Sequence, residues 1–167
     1  MHPILEHRSL RAFEQMSPHD VSVVLADART LQRAARAGTT QPLLRGKNLG
    51  LLCEAENDGD AASFRRAAVE LGAHVAHIRP SLWELSTPHE VQNTARMLGR
   101  LYDAVECQGM APALLQQLGT DAGVPVYEGI ASRDHPTAKL AELLGGDTSP
   151  ADNRRFVLQA VLLSTIA

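Results

Sequence analysis

The stretch "EAENDGD", residues 54–60, crowds Glu54, Glu56, Asp58 and Asp60 between an apolar run that ends at Cys53 and a helical pattern that begins near Ala61. A strand-to-helix turn of this kind aims backbone N–H groups and the positive end of a helix dipole outward, which attracts anions. Carboxylates there repel an anion and favour a cation or an amine. Glu128 and His135 join Asp58 and Asp60 as binding candidates if all four lie near the C-terminal ends of parallel strands, the usual ligand edge of such a sheet. The competing reading is that acids scattered in loops are simply solvated. No dedicated metal site is expected: His74 and His77 are three apart on a strand and face opposite sides.

The elements that must position these residues alternate. Ser17 caps a helix with Pro18 at its first position and Asp20 in its first turn, running to about Ala37 and stopping at Gly38. "KNLGLLCE" reads as a strand, residues 61–71 as a helix ended by Gly72, and "AHVAHI" as a second strand. "HEVQNTARMLGRL" is a helix leading into the strand "DAVEC"; "APALLQQLGTDAG" is a helix stopped by Gly123, leading into "VPVYE". "HPTAKLAELL" starts a further helix, with Pro136 near its first turn. This alternation predicts an α/β fold of three layers, a roughly four-stranded parallel sheet with helices on both faces. Residues 145–153, "GGDTSPADN", have the composition of a linker, and "NRRFVLQAVLLSTIA" beyond them is apolar around most of its circumference, so this last helix should be buried.

With 167 residues, 44% of them hydrophobic, and a net charge of -3, the chain reads as one ordinary globular domain without the basic excess of a nucleic-acid binder. No signal-peptide core and no apolar run long enough for a membrane span are visible, so a cytoplasmic location without membrane contact is expected. Aromatic residues make up 4%, which leaves no stacking platform for single-stranded nucleic acid. Cys53 and Cys107 end apolar runs and are expected to be buried free thiols. Arg65-Arg66 and Arg154-Arg155 read as solvated helix faces or salt-bridge partners.

The segments "PLLRGKNLGLLCE", "SFRRAAVELGAHV", "NTARMLGRLYDAVECQG", "GVPVYEGI" and "DHPTAKLAELL", in this order and spacing, resemble the carbamoyl-phosphate-binding domain of the aspartate and ornithine carbamoyltransferases, the ornithine enzyme more closely. The resemblance runs from about residue 9 to 144, and "ADNRRFVLQAVLL" is similar to the family's C-terminal helix. It implies residues 1–144 as the carbamoyl-phosphate-binding-like domain, 145–150 as a linker where the family has its amino-acid-binding domain, and 151–167 as the last helix packed back on the same domain. No cofactor is implied.

Against the family's Ser-Thr-Arg-Thr-Arg phosphate motif this chain has Asn57, Asp58, Gly59, Asp60 and Ala61, and Gln108 in "CQGM" stands where the family has an Arg. At an effective dielectric near ~20, replacing an attractive Arg by a repelling Asp beside a phosphate costs on the order of several kcal/mol. The family's His-Pro-Thr-Gln is matched by His135, Pro136, Thr137 and Ala138, which leaves His135, Thr137 and Glu128 as possible ligand-binding residues, although Pro136 could also mark "DHPTA" as no more than a helix start. Asn93 replaces the family's Asp before Thr-Ala-Arg, and the family's Lys that reaches a neighbouring subunit falls near Pro88.

The resemblance therefore implies a degenerate, non-catalytic carbamoyltransferase-like protein, with no catalytic residues assigned and an assembly or regulatory role. Its partners would be copies of itself, as a trimer with the loop 81–90 near the contact, or a full-length carbamoyltransferase. The alternatives are a binding protein for an amine or cation in the remodelled cleft, or half of a carbamoyltransferase completed by a partner chain.

Overall fold

The computed structural model describes residues 16–55, 57–80 and 87–166. Glu56, most of the 81–90 loop and Ala167 lie outside them, as do residues 9–15 of the matched stretch.

Ten elements alternate as the sequence predicts: α1 (Pro18–Ala37), β1 (Asn48–Leu52), α2 (Gly59–Glu70), β2 (His74–Ile78), α3 (Pro88–Leu101), β3 (Ala104–Cys107), α4 (Pro112–Asp121), β4 (Val126–Glu128), α5 (Thr137–Leu144) and α6 (Pro150–Thr165). The strands form one parallel sheet in the order β2-β1-β3-β4, with Leu51 in register with His77 on one side and Glu106 on the other. Because β1 pairs with both β2 and β3, the crossover direction changes beside it, and its C-terminal end opens toward a crevice.

Strand alternation divides the core in two. Leu49, Leu51, Ala104 and Tyr127 pack with α1, α2, α5 and α6, around Phe64 and Phe156. Leu52, Val105, Cys107 and Val126 pack with Val91, Ala95 and Leu98 of α3 and Leu115 and Leu118 of α4. On this face α3 approaches the end of α4 closely: a Cβ on Gly99 would lie 1.8 Å from the Ala122 carbonyl oxygen.

Local signals explain most boundaries. Ser17 and Thr87 each form a reciprocal capping box, with Asp20 and Glu90 respectively, and Gly38 ends α1 at φ 69°, a left-handed conformation natural to glycine. α2 begins at Gly59, two residues before the expected Ala61, because Asp58 already has extended cap geometry. Pro136 directly precedes α5, near its first turn as expected.

In α6, residues 156–162 are all buried, against α1, α2 and α5. Each large apolar side chain so buried contributes about 1.5–3 kcal/mol. The connection before it is fastened: Gln32 of α1 donates to the Gly145 carbonyl at 3.0 Å and to Thr148 Oγ1 at 2.7 Å, and Arg36 pairs with Asp147 at 3.0 Å. Among the described residues no helix is long and apolar enough to cross a membrane.

Candidate functional site

Two clusters occupy the C-terminal edge of the sheet. The first is the β1–α2 turn. Cys53 is buried; its N–H donates to the Ile78 carbonyl at 3.2 Å, and its own carbonyl lies 2.7 Å from His77 Nε2. Since a carbonyl only accepts, that nitrogen carries the His77 proton. Beyond Cys53 the turn is exposed, and an open cleft of about 510 Å³ is lined by Glu54, Ala55, Asn57, His77 and Arg79. Asp58 caps α2 through its backbone only; its exposed side chain makes no capping bond, unlike those of Ser17, Thr87 and Ser149. Asp60 follows in the first helical turn, and Ala61 is fully buried in the core, so its side chain belongs to packing and not to the cleft.

The second cluster is the segment between β4 and α5, together with the start of α6. Ile130 N–H reaches both carboxyl oxygens of Glu106, at 3.3 and 3.1 Å. The Ile130 carbonyl accepts from Thr137 Oγ1 at 2.6 Å and from Arg154 Nη2 at 3.0 Å, and Arg154 also donates to the Ser132 carbonyl at 2.6 Å. His135 Nδ1 accepts the Thr137 N–H at 3.2 Å, so the neutral ring carries its proton on Nε2. Burial, and secondarily the Arg154 guanidinium, hold the His135 pKa down to about 4. At neutral pH the ring is therefore an uncharged N–H donor, suited to polarising a carbonyl oxygen and unsuited to pairing with an anion's full charge.

Arg154 departs from its sequence reading as a solvated helix face or salt-bridge partner. It is half-buried, spends its Nη2 on two main-chain carbonyls, and feels Asp60 across the gap between α6 and α2; burial lowers its pKa while Asp60 opposes that shift. The acidic turn thus has a cation in electrostatic reach that its own motif lacks. Arg155 does form ion pairs, with Glu70 at 2.9 Å and Asp152 at 2.6 Å, while Arg65 donates to the Val75 carbonyl.

Gln108 sits just past β3 with both side-chain polar atoms buried, and its side chain faces the Glu106 carboxyl, whose pKa it lowers against the larger upward push of burial. Glu128 ends β4 and is exposed; it raises the pKa of Cys107, behind burial and Glu106, and is absent from the influences on His135. The structure therefore joins His135 and Thr137 tightly, sets Asp60 within electrostatic reach of Arg154, and leaves Asp58 exposed at the start of α2 and Glu128 exposed at the end of β4. Both cysteines are buried free thiols. Among the described residues no group of His, Cys, Asp or Glu is arranged to hold a metal ion.

Sequence reasoning missed Glu106 and Arg79. Glu106 was concealed in "DAVEC", read as an apolar strand; an acid on a strand covered on both faces was the available signal. Arg79 follows β2 directly and lines the cleft.

An open parallel α/β domain with a cleft at the ends of its central strands is the class that fold and site define. Residues 8–145 match the family described as aspartate/ornithine carbamoyltransferase, carbamoyl-P binding domain, and the chain belongs to that family. It is 36% identical over 140 residues to ornithine carbamoyltransferase of Actinobacillus pleuropneumoniae serotype 5b, covering 84% of this chain and 42% of that protein. The same figures hold for ornithine carbamoyltransferase of Cutibacterium acnes. Among solved structures, the Pyrococcus furiosus ornithine carbamoyltransferase superposes with a TM-score of 0.70 at 25% identity, over 83% of this chain and 44% of that one. Trypanosoma cruzi aspartate transcarbamoylase, in complex with carbamoyl phosphate and aspartate, shares the fold with a TM-score of 0.67 at 24% identity, over 85% and 47% of the two chains. This chain thus spans less than half the length of the relatives it matches.

Proposed function

We propose that this carbamoyltransferase-like domain does not itself transfer carbamoyl groups and serves an assembly or regulatory role, with further copies of itself or a full-length carbamoyltransferase as partner. The observation that carries this is the turn at the start of α2, where Asp58, Gly59 and Asp60 stand at an anion-type helix N-terminus, with Asp60 in the first turn. A helix start is the natural seat of a phosphate, and its affinity rests on N–H groups and nearby cations; two carboxylates there oppose both. Arg154 offsets Asp60 only in part, since its Nη2 already serves two carbonyls. In this reading residues 145–150 join α5 directly to α6, with no amino-acid-binding domain between them.

Calorimetry with carbamoyl phosphate and with inorganic phosphate tests it, and no heat above dilution is expected. Combining Asp58→Thr, Gly59→Arg and Asp60→Thr should create measurable phosphate binding, because a Cβ at Gly59 meets no atom within 4 Å and the added side chain has room. Submillimolar phosphate binding by the unaltered chain, or carbamoyl transfer by it alone or mixed with a candidate partner, would sink the proposal.

A second reading, an amine or cation held in the remodelled cleft, is favoured by Glu54 and Asn57 on the cleft wall and by the free carboxylate of Asp58. Arg79 on the same wall counts against it.

A further inference from the structure

The cleft at the ends of β1 and β2 carries two opposite charges that do not meet. Leu52 and Ile78, the last residues of the two strands, are in register, and the Cys53 N–H donates to the Ile78 carbonyl at 3.2 Å, which carries the pairing just past the strands. Glu54 follows on one side of this join and Arg79 on the other, and both line the cleft. Both are exposed, and among the described residues neither has an ion pair or a side-chain hydrogen bond.

The wall between them is polar. His77 Nε2 donates to the Cys53 carbonyl at 2.7 Å, which holds its ring in place, and Asn57 adds an amide that both donates and accepts. Ala55 is the one apolar residue of the described lining, so charge and hydrogen bonds must supply recognition. The volume, about 510 Å³, suits a small molecule.

Charge decides which one. An anion alone is attracted by Arg79 and repelled by Glu54, and a cation alone meets the reverse, so much of the gain cancels in either case. A molecule with a carboxylate at one end and an ammonium at the other gains from both, the carboxylate on the guanidinium fork and the ammonium on the Glu54 carboxylate. Asp58, exposed beside Asn57 at the start of α2, reinforces the ammonium end.

We propose that this cleft binds a small zwitterion, its ammonium held at Glu54 and its carboxylate at Arg79. The cleft lies within the residues that match the carbamoyl-P binding domain and draws on no second domain. This guest rests on the same cleft as the bare amine or cation of the second reading, but turns Arg79 from an obstacle into a ligand.

The test is titration of the full chain, followed through its backbone amides by NMR, with γ-aminobutyrate and β-alanine beside butylamine and butyrate, which carry one charge each. At least one zwitterion should move the Glu54, Ala55, Asn57 and Arg79 amides saturably, with a Kd of about 1 mM, since exposed charge contacts are individually weak. Butylamine and butyrate should bind about tenfold more weakly or worse. Glu54 and Arg79 are exposed, so Glu54→Gln and Arg79→Gln should keep the fold. Each should weaken zwitterion binding about tenfold. Their residual preferences should be opposite: Glu54→Gln should favour butyrate over butylamine, and Arg79→Gln the reverse, an inversion that a disturbed loop would not produce. No saturable shift with either zwitterion, or unchanged zwitterion binding in either variant, overturns the proposal. Butylamine binding as tightly as the zwitterions also overturns it, while leaving the amine reading standing. Titration with inorganic phosphate bears on the non-catalytic reading alone, so the two can fail separately.

Discussion

The β1–α2 turn and the β4–α5 segment flank the same sheet edge and are built by opposite rules. In the first, the side chains of Glu54, Asn57 and Asp58 face water, and the α2 cap is made by backbone alone. In the second, Glu106, Ile130, Thr137, His135 and Arg154 share one buried or half-buried network in which the Ile130 peptide makes three kinds of bond. Exposed turn residues can change charge at little cost in stability, whereas each member of a buried polar network is held by the desolvation of its partners. On the proposed function, this accounts for an exposed turn that carries acids beside a buried network that keeps His135, Pro136 and Thr137.

Breaking the support of the second region should produce the largest effect. Phe156 of α6 is almost fully buried in the core beneath that network, and Phe156→Ala is expected to destabilise the fold by about 3–5 kcal/mol in urea unfolding. A loss under about 1 kcal/mol would mean that α6 is not integral to the core.

Next in size is a pH effect with two opposed arms. Glu106 keeps its proton in the folded state up to about 8 but loses it near 4.5 when unfolded, so the native state binds more protons between those values and stability falls as pH rises through them. His135 works the other way: its pKa is about 4 folded and 6.5 unfolded, so stability is lost as pH falls from 6.5 toward 4. Between about 6.5 and 8 the Glu106 arm dominates, with a slope of up to about 1.4 kcal/mol per pH unit, before the raised Cys107 and Tyr127 add slope of the same sign at higher pH. Denaturation midpoints of Glu106→Gln should lose that alkaline slope, and those of His135→Gln should lose the acid one.

The smallest expected change sharpens the other side of the comparison. Asp58→Ala should alter stability by no more than about 0.5 kcal/mol, because no capping bond is lost, whereas Thr87→Ala, which breaks the α3 capping box, should cost about 1 kcal/mol. Equal losses in thermal melts would show that Asp58 caps α2 in solution.

Much of this architecture was legible in the chain. Ser17-Pro18 and Thr87-Pro88 are helix starts by local chemistry, Gly38 is a helix stop by its freedom at positive φ, and alternation of short apolar runs with 3.6-residue periods implies a parallel sheet. The apolar circumference of residues 156–162 announced a buried helix. The acidic turn, too, could be placed at the end of the first strand from order alone. What the chain could not disclose was company. Glu106 looks like one polar letter in "DAVEC", and Arg154 like half of a basic pair; only packing puts one under α6 and the other over Ile130.

Local interactions, which span a few residues and depend on their types, were therefore determined by the sequence alone: caps, stops, element order and the charge of the turn. Tertiary structure decided the burial of Glu106, the neutrality of His135, and the approach of Arg154 to Asp60. These depend on desolvation and on contacts between residues more than twenty positions apart, which no local pattern encodes.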